Sequence, residues 1–204
     1  MDYFVLLGQP RQPWLDPASL KAAFLDQSAR AHPDHVQAGP EERAAAAGRF
    51  AELNAAYICL REPRDRLLHL LELESGAPPA NVQSVPGAAM ELFMETGSVC
   101  RQTDQFLAAR GRPASPLLQA NKFEQALEWT ARLQALQEQI RLRREALLAD
   151  LREMNAAWCA APPAPSPARA GALPSRRLEE MARTLSYIAR CAGQIQERLA
   201  QLSI

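Results

Sequence analysis

The sequence predicts an all-α protein: an N-terminal helical hairpin with a short helix on either side, followed by a three-helix bundle. Ala, Leu, Glu, Gln and Arg dominate while aromatic residues make up 6% of the chain, and this composition favours helix on intrinsic propensity. No run alternates Val, Ile or Thr with polar residues over the length of a strand. Apolar residues return at spacings of three and four through most segments between prolines, which is the period of a helix face.

The opening Asp2-Tyr3-Phe4-Val5-Leu6-Leu7 is apolar and is stopped by Gly8 and Pro10. It fits one or two helical turns, with Asp2 at the positive end and Gly8 just past the C-terminus. Asp16-Pro17 then supplies an N-cap and a proline at the first helical position. Leu20, Phe24 and Ala31, with Ala23 and Ser28 beside them, mark one face of this second helix. Pro33 disfavours helical geometry at His32, so the helix ends near Ala31. After the polar stretch Asp34 to Pro40, a third helix spans about Glu41 to Arg61, with acids at its start and Arg61 at its end. Its stripe is Ala47, Phe50, Leu53, Ala56, Tyr57 and Leu60. Pro63 breaks it, and a short leucine-rich helix runs on to Leu73.

Ser75-Gly76-Ala77-Pro78-Pro79 continues neither periodicity and marks the first boundary. This gives an N-terminal domain over residues 1–76, a linker over 77–87 and a C-terminal bundle over 88–204. The bundle starts with a helix from about Ala88 to Ala109, weakened at Gly97. The longest helix follows, about Leu118 to Trp158, where Leu133, Leu136, Ile140, Leu147, Leu151, Met154 and Trp158 recur with Arg143 in a skipped slot. Residues 160–174 hold five prolines among alanines and read as a semi-extended loop. The last helix, about Ser175 to Leu202, carries Leu178, Met181, Leu185, Ile188, Ile195, Leu199 and Leu202.

At 204 residues the chain can hold one larger domain or two small ones. Lys plus Arg and Asp plus Glu each number 23, so the net charge is zero, which argues against nucleic acid as a partner. No basic segment precedes an apolar stretch at the start, and no apolar run is long enough to span a bilayer. A cytoplasmic protein without a membrane partner is expected. The four cysteines, Cys59, Cys100, Cys159 and Cys191, are far apart and fit small apolar helix positions better than disulfides or a metal site.

Little points to catalysis. The three histidines are His32, His35 and His69, and the first two share a polar loop with Asp34 but with no nucleophile. No glycine-rich phosphate loop and no Gly-x-Ser-x-Gly occurs. Arg141-Leu142-Arg143-Arg144 suits a solvated helix face. The chain reads as a non-enzyme with no metal or other cofactor of its own.

His32-Pro33-Asp34 stands out because of what frames it: an apolar first turn, helices of the right length on both sides and a proline-delimited fourth helix. Together these resemble the J-domain, the module that stimulates ATP hydrolysis by chaperones of the DnaK class. The start Met1-Asp2-Tyr3-Phe4 with Leu7-Gly8, then Leu15-Asp16, Phe24-Leu25-Asp26, Leu53-Asn54-Ala55-Ala56-Tyr57 and Leu60-Arg61-Glu62-Pro63, resembles the HscB branch of iron–sulfur cluster assembly. That resemblance implies an N-terminal J-domain followed directly by a helical bundle. It implies contact with a DnaK/HscA-class ATPase through His32, Pro33 and Asp34, with Lys21 and Arg30 as the basic residues of the second helix. It also implies an IscU-type iron–sulfur scaffold as client, held on the first bundle helix, where the best local match is Leu92-Phe93-Met94-Glu95. Phe93 and Met94 fit the bundle core equally well.

The chain departs from the pattern in places. Ala31 and His35 stand where an aromatic and a lysine are common, and Thr96-Gly97-Ser98-Val99-Cys100 replaces an acidic, leucine-containing turn. Two other readings stay open: a general J-domain co-chaperone with another protein client, and a structural helical-hairpin protein in which His32-Pro33-Asp34 is only a turn.

Overall fold

Prolines and caps divide the chain as their chemistry requires. The computed structural model describes residues 1–31, 39–79, 86–109, 116–163 and 166–203, with the side chains of 40, 88 and 116–118 outside the description. Among the described residues there are helices and no strands: α1 Tyr3–Leu6, α2 Pro17–Ala31, α3 Pro40–Arg61, α4 Pro63–Ser75, α5 Gly87–Ala108, α6 Pro116–Ala160, α7 Pro167–Ala172 and α8 Ser175–Leu202. None is long and apolar enough to cross a membrane.

Asp2 caps α1 by accepting from the backbone N–H of Phe4 and Val5 at 2.9 and 3.3 Å. Asp16 does the same for α2, accepting from Ser19 N–H at 2.8 Å, and that bond holds its carboxyl below the usual range. Gly8 and Gly76, just past α1 and α4, take φ of +61° and +76°, a conformation that suits a residue without Cβ.

Contacts group the described residues into two compact units, Met1–Val82 with Leu148–Ala182, and Gln83–Leu147 with Arg183–Ile204. This grouping cuts across a division at residues 77–87, because α6 and α8 each contribute to both units. In the first unit, Phe24 stacks on Tyr57 at 4.2 Å, which pairs α2 and α3 as an antiparallel hairpin. By that register Ala31 falls level with Phe50, and the first turns of α3 run on beyond the last residue of α2. Ala47, expected on the buried stripe, is therefore exposed, while Leu53, Ala56 and Leu60 are fully covered. Phe4, Leu20, Leu67 and Leu70 complete that core, together with Leu151 and Leu178 from α6 and α8.

Three polar anchors hold the unit. Arg66 is 4% exposed and donates to the carbonyls of Pro13 at 2.8 Å and Leu60 at 2.7 Å. Burial pulls its guanidinium down to about 10, which leaves it charged at neutral pH. The 11–16 segment is tied in turn to α6: Trp14 N–H donates to Asn155 Oδ1 at 3.0 Å, and Trp158 Nε1 to Arg11 O at 2.8 Å. Finally, His69 Nε2 accepts the backbone N–H of Tyr3 at 3.1 Å.

The proline-rich stretch corrects an expectation. Residues 160–174 are not a plain semi-extended loop, because α7 forms within them, with Pro167 at its first position and alanines at 168, 170 and 172. Arg169 anchors it by a two-pronged ion pair with Glu74 at 2.7 and 2.8 Å and a bond to Pro162 O at 2.8 Å. Its guanidinium also lies 5.6 Å from the Trp158 ring.

In the second unit α5, α6 and α8 share a core of Val99, Leu133, Leu136, Ile140, Leu185, Ile188 and Ile195. Cys191 fills the slot between Ile188 and Ile195 at 2% exposure, and Cys100 is 4% exposed. Burial raises both thiols, which keeps them protonated.

Replacing Arg66 with Ala leaves two buried carbonyls unpaired, and a loss of about 3 kcal/mol is expected. Arg66→Lys recovers only part of it, since one ammonium does not reproduce a forked donor. Thermal melts of the three proteins check this, and equal melting temperatures would contradict it.

The His69 bond requires an unprotonated Nε2. Burial lowers the His69 pKa below its ordinary 6.5, against the pull of Asp2 and Glu72 and with the help of the N-terminus and Arg11. The unfolded state then takes up the proton first. The stability from neutral His69 is complete above the unfolded value and is lost as pH falls through the folded one. Denaturant titrations between about pH 7 and pH 5 should show a smaller loss for His69→Gln than for the natural chain.

Candidate functional site

Two surfaces carry the residues singled out from the sequence. The first is the free end of the α2–α3 hairpin. His32, Pro33 and Asp34, which join Ala31 to the chain leading into Pro40, lie outside the described residues. Their immediate supports are described. Lys21 and Arg30 are both exposed on α2, nine residues apart. Arg30 is paired with Asp26 at 2.9 Å, an exposed pair of the kind that contributes at most about 1 kcal/mol. Beside it, a hollow of about 390 Å³ is lined by Asp26, Arg30, Ala31, Arg49 and Leu53. Arg49 is the residue that reading α2 alone misses. It stands one turn before buried Leu53 on α3, so the antiparallel register brings it to the end of the hairpin where Arg30 stands. Arg30 and Arg49 border this hollow, with Arg30 locally neutralised by Asp26, while Lys21, nine residues from Arg30, falls on the opposite side of α2.

The second surface is the outward face of α5. Of the four candidate client contacts, Leu92 and Phe93 are half-buried, Met94 is 61% exposed and Glu95 is exposed. Phe93 packs edge-on against Tyr187 of α8, ring centroids 5.5 Å apart at 81°. Packing thus divides the two residues that the sequence could not separate: Phe93 is held partly by the bundle, and Met94 faces solvent. Gly97 does not break α5, which runs continuously from Gly87 to Ala108. Thr96 and Thr103 return their hydroxyls to the carbonyls of Leu92 and Val99, at 2.7 and 2.9 Å, so neither leaves an unpaired polar atom in the bundle. Nearly three turns beyond Met94, Arg198 clamps α8 to α5 through both oxygens of Asp104 at 3.0 and 2.8 Å.

Among the described residues no group of three His, Cys, Asp or Glu side chains could hold a metal. Another hollow, of about 470 Å³, is lined by Tyr3, Cys59, His69 and Glu72 among others. Its Cys59 thiol is pushed up to about 11 by burial, away from nucleophilic character. What the described residues offer is exposed Arg30 and Arg49 near the end of the α2–α3 hairpin, and, separately, exposed Met94 beside half-buried aromatic rings on α5 and α8.

Comparison with known proteins decides the family. Over 154 residues, 74% of this chain and 69% of the relative, the sequence is 33% identical to the co-chaperone protein HscB homolog of Cupriavidus taiwanensis. The chain belongs to the HscB co-chaperone family. HscB structures share its fold as well. The chaperone HscB from Vibrio cholerae aligns over 99% of both chains with a TM-score of 0.65 at 23% identity. The human co-chaperone protein HscB aligns over 97% of this chain and 81% of its own, with a TM-score of 0.59 at 16% identity. No protein-family model matches the sequence. The expected all-α architecture, a J-domain followed by a C-terminal helical bundle, is the HscB fold.

Proposed function

We propose that this HscB-family chain is a two-handed adaptor of iron–sulfur cluster assembly in the cytoplasm. Its J-domain engages a DnaK/HscA-class ATPase through His32, Pro33 and Asp34 and promotes ATP hydrolysis, with Lys21 and Arg30 guiding the encounter. Its bundle presents an IscU-type scaffold, held on α5 around Leu92, Phe93, Met94 and Glu95. The chain itself needs no cofactor, since nucleotide and cluster belong to the partners. The 33% identity to an HscB homolog across most of the chain carries this reading.

The physics favours weak contacts on both hands. With Arg30 tied to Asp26, the hairpin tip offers few free cations, and charge complementarity of this kind mainly speeds encounter and sets salt dependence. Joining two weak contacts in one chain makes the second intramolecular, so the scaffold arrives at the ATPase at high effective concentration. The altered turn Thr96-Gly97-Ser98-Val99-Cys100 keeps a second reading open, that of a J-domain co-chaperone with another protein client.

Single-turnover ATP hydrolysis by a cognate chaperone tests the first hand. Asp34→Asn removes one charge with little change of shape, and stimulation should fall by about tenfold or more, as for the loss of a charge-assisted contact. Equal stimulation by both proteins would overturn the J-domain mechanism. For the second hand, an IscU-type scaffold should bind the full chain, and Met94→Ala should weaken binding by about fivefold to tenfold in calorimetry. The full chain is needed because residues 148–182 take their core partners from the N-terminal segment. Absence of scaffold binding would favour the second reading.

A further inference from the structure

In the bundle α5 and α8 run parallel. Phe93 meets Tyr187, and Asp104 meets Arg198 at the same offset of 94 residues. Between these two rungs α5 has a glycine. Gly97 leaves an open groove of about 250 Å³, bounded by Met94 and Arg101 on α5 and by Gln194 and Arg198 on α8. A Cβ at Gly97 would lie 3.4 Å from Arg101 Nη1 and meet nothing else within 4 Å, so the guanidinium of Arg101 lies over the groove.

The charges around this groove are unbalanced. Asp104 is occupied by Arg198, which also meets Glu197 at 3.1 Å. Arg101 is exposed and forms no ion pair among the described residues. Arg190, one turn before Gln194 on α8, is also exposed and lies 5.3 Å from the Tyr187 ring. It too has no carboxylate partner among the described residues. Met90 and Met94, 44% and 61% exposed, continue the same face of α5 by steps of four residues, and Gly97 and Arg101 extend it. At 100° per residue, Glu91 and Glu95 fall to the far side of Met94, away from Gly97.

We propose that this groove receives an acidic segment of a partner protein. An aliphatic side chain of the partner packs against Met94 at the mouth of the groove, and a neighbouring carboxylate is taken up by Arg101, whose guanidinium lies over Gly97. The polarity follows from the unpaired cations: a guanidinium presents a forked donor to a carboxylate, whereas a lysine-bearing segment would meet Arg101 and Arg190 as like charges. Flexible, polarisable methionines at the mouth adapt to differing aliphatic shapes. The inference rests on the reading of α5 as the client-binding face and assigns that face a charge preference.

The test uses the full chain labelled with 13C at its methionine methyls, titrated with two short synthetic peptides alike in their leucines and differing only in carrying Glu or Lys. The acidic peptide should shift the Met90 and Met94 signals and bind about tenfold tighter than the basic one. Arg101→Glu should bring the two peptides to parity or reverse them, with helical circular dichroism and melting temperature unchanged as evidence of an intact fold. No shift with either peptide, equal binding of both by the natural chain, or an acidic preference that survives Arg101→Glu would overturn the proposal. If the acidic peptide binds as expected and an IscU-type scaffold does not, the groove assignment stands and the scaffold reading falls.

Discussion

The guanidinium of Arg66 joins three chain segments that sequence distance keeps apart. From α4 it donates to Leu60 at the C-terminal end of α3 and to Pro13 in the segment between α1 and α2. A buried charge is costly unless it is fully engaged, so these carbonyls must stay in place while Arg66 is buried. The segment it holds is the one that reaches α6, through Trp14 to Asn155 and Arg11 to Trp158. Arg152 adds its guanidinium 4.9 Å from the Trp14 ring. One side chain therefore sets where the hairpin base ends and where the long helix finds its N-terminal partners. The apolar core supplies most of the driving force, and these polar contacts select the arrangement in which that core closes.

Local chemistry was the legible part of the fold. Asp2, Asp16, Pro17, Pro63, Gly8 and Gly76 each act within a few residues of their position, so the helix ends they mark could be read from the chain alone. Stripes were legible too, because a helix face is a property of spacing. What spacing does not tell is the partner. The apolar stripe of α6 runs from Leu133 to Trp158 with one skipped slot at Arg143, yet its residues from Leu148 onward group with the N-terminal segment. Nothing in the pattern marks that change, since Leu147 and Leu151 are equally good core residues. Ala47 shows the converse, a stripe position left exposed because its partner helix stops first. In 160–174 the prolines masked a short helix that depends on Arg169 reaching Glu74, 95 positions away in the chain.

The candidate site was legible to the extent that it is linear. His32-Pro33-Asp34 is recognisable in one dimension, and its flanks carry enough specific residues to suggest a family that the 33% identical relative then establishes. Arg49 and Arg190 could not be found that way, because each enters its surface through the register of a second helix. The division between Phe93 and Met94 is likewise a matter of rotation about α5, decided by where Tyr187 stands. Adjacent residues on a helix point about 100° apart, so neighbours in a motif need not share a fate in the fold.

The construction of α5 links its surface to its own integrity. Thr96, Gly97 and Thr103 are poor helix formers, and Gly97 alone costs about 1 kcal/mol relative to alanine. The helix is therefore held less by propensity than by its neighbours. Val99 and Cys100 are buried against the bundle, and Asp104 is clamped by Arg198. The face that carries Met90, Met94 and Arg101 is the opposite case, exposed and, among the described residues, without ion pairs to hold it. A partner seated on that face adds contacts to the folded helix alone, and a ligand that binds only the folded form stabilises it by mass action. In this chain the same glycine that weakens the helix opens the groove beside it. The helix that pays for the groove in propensity is the one that occupancy would reinforce.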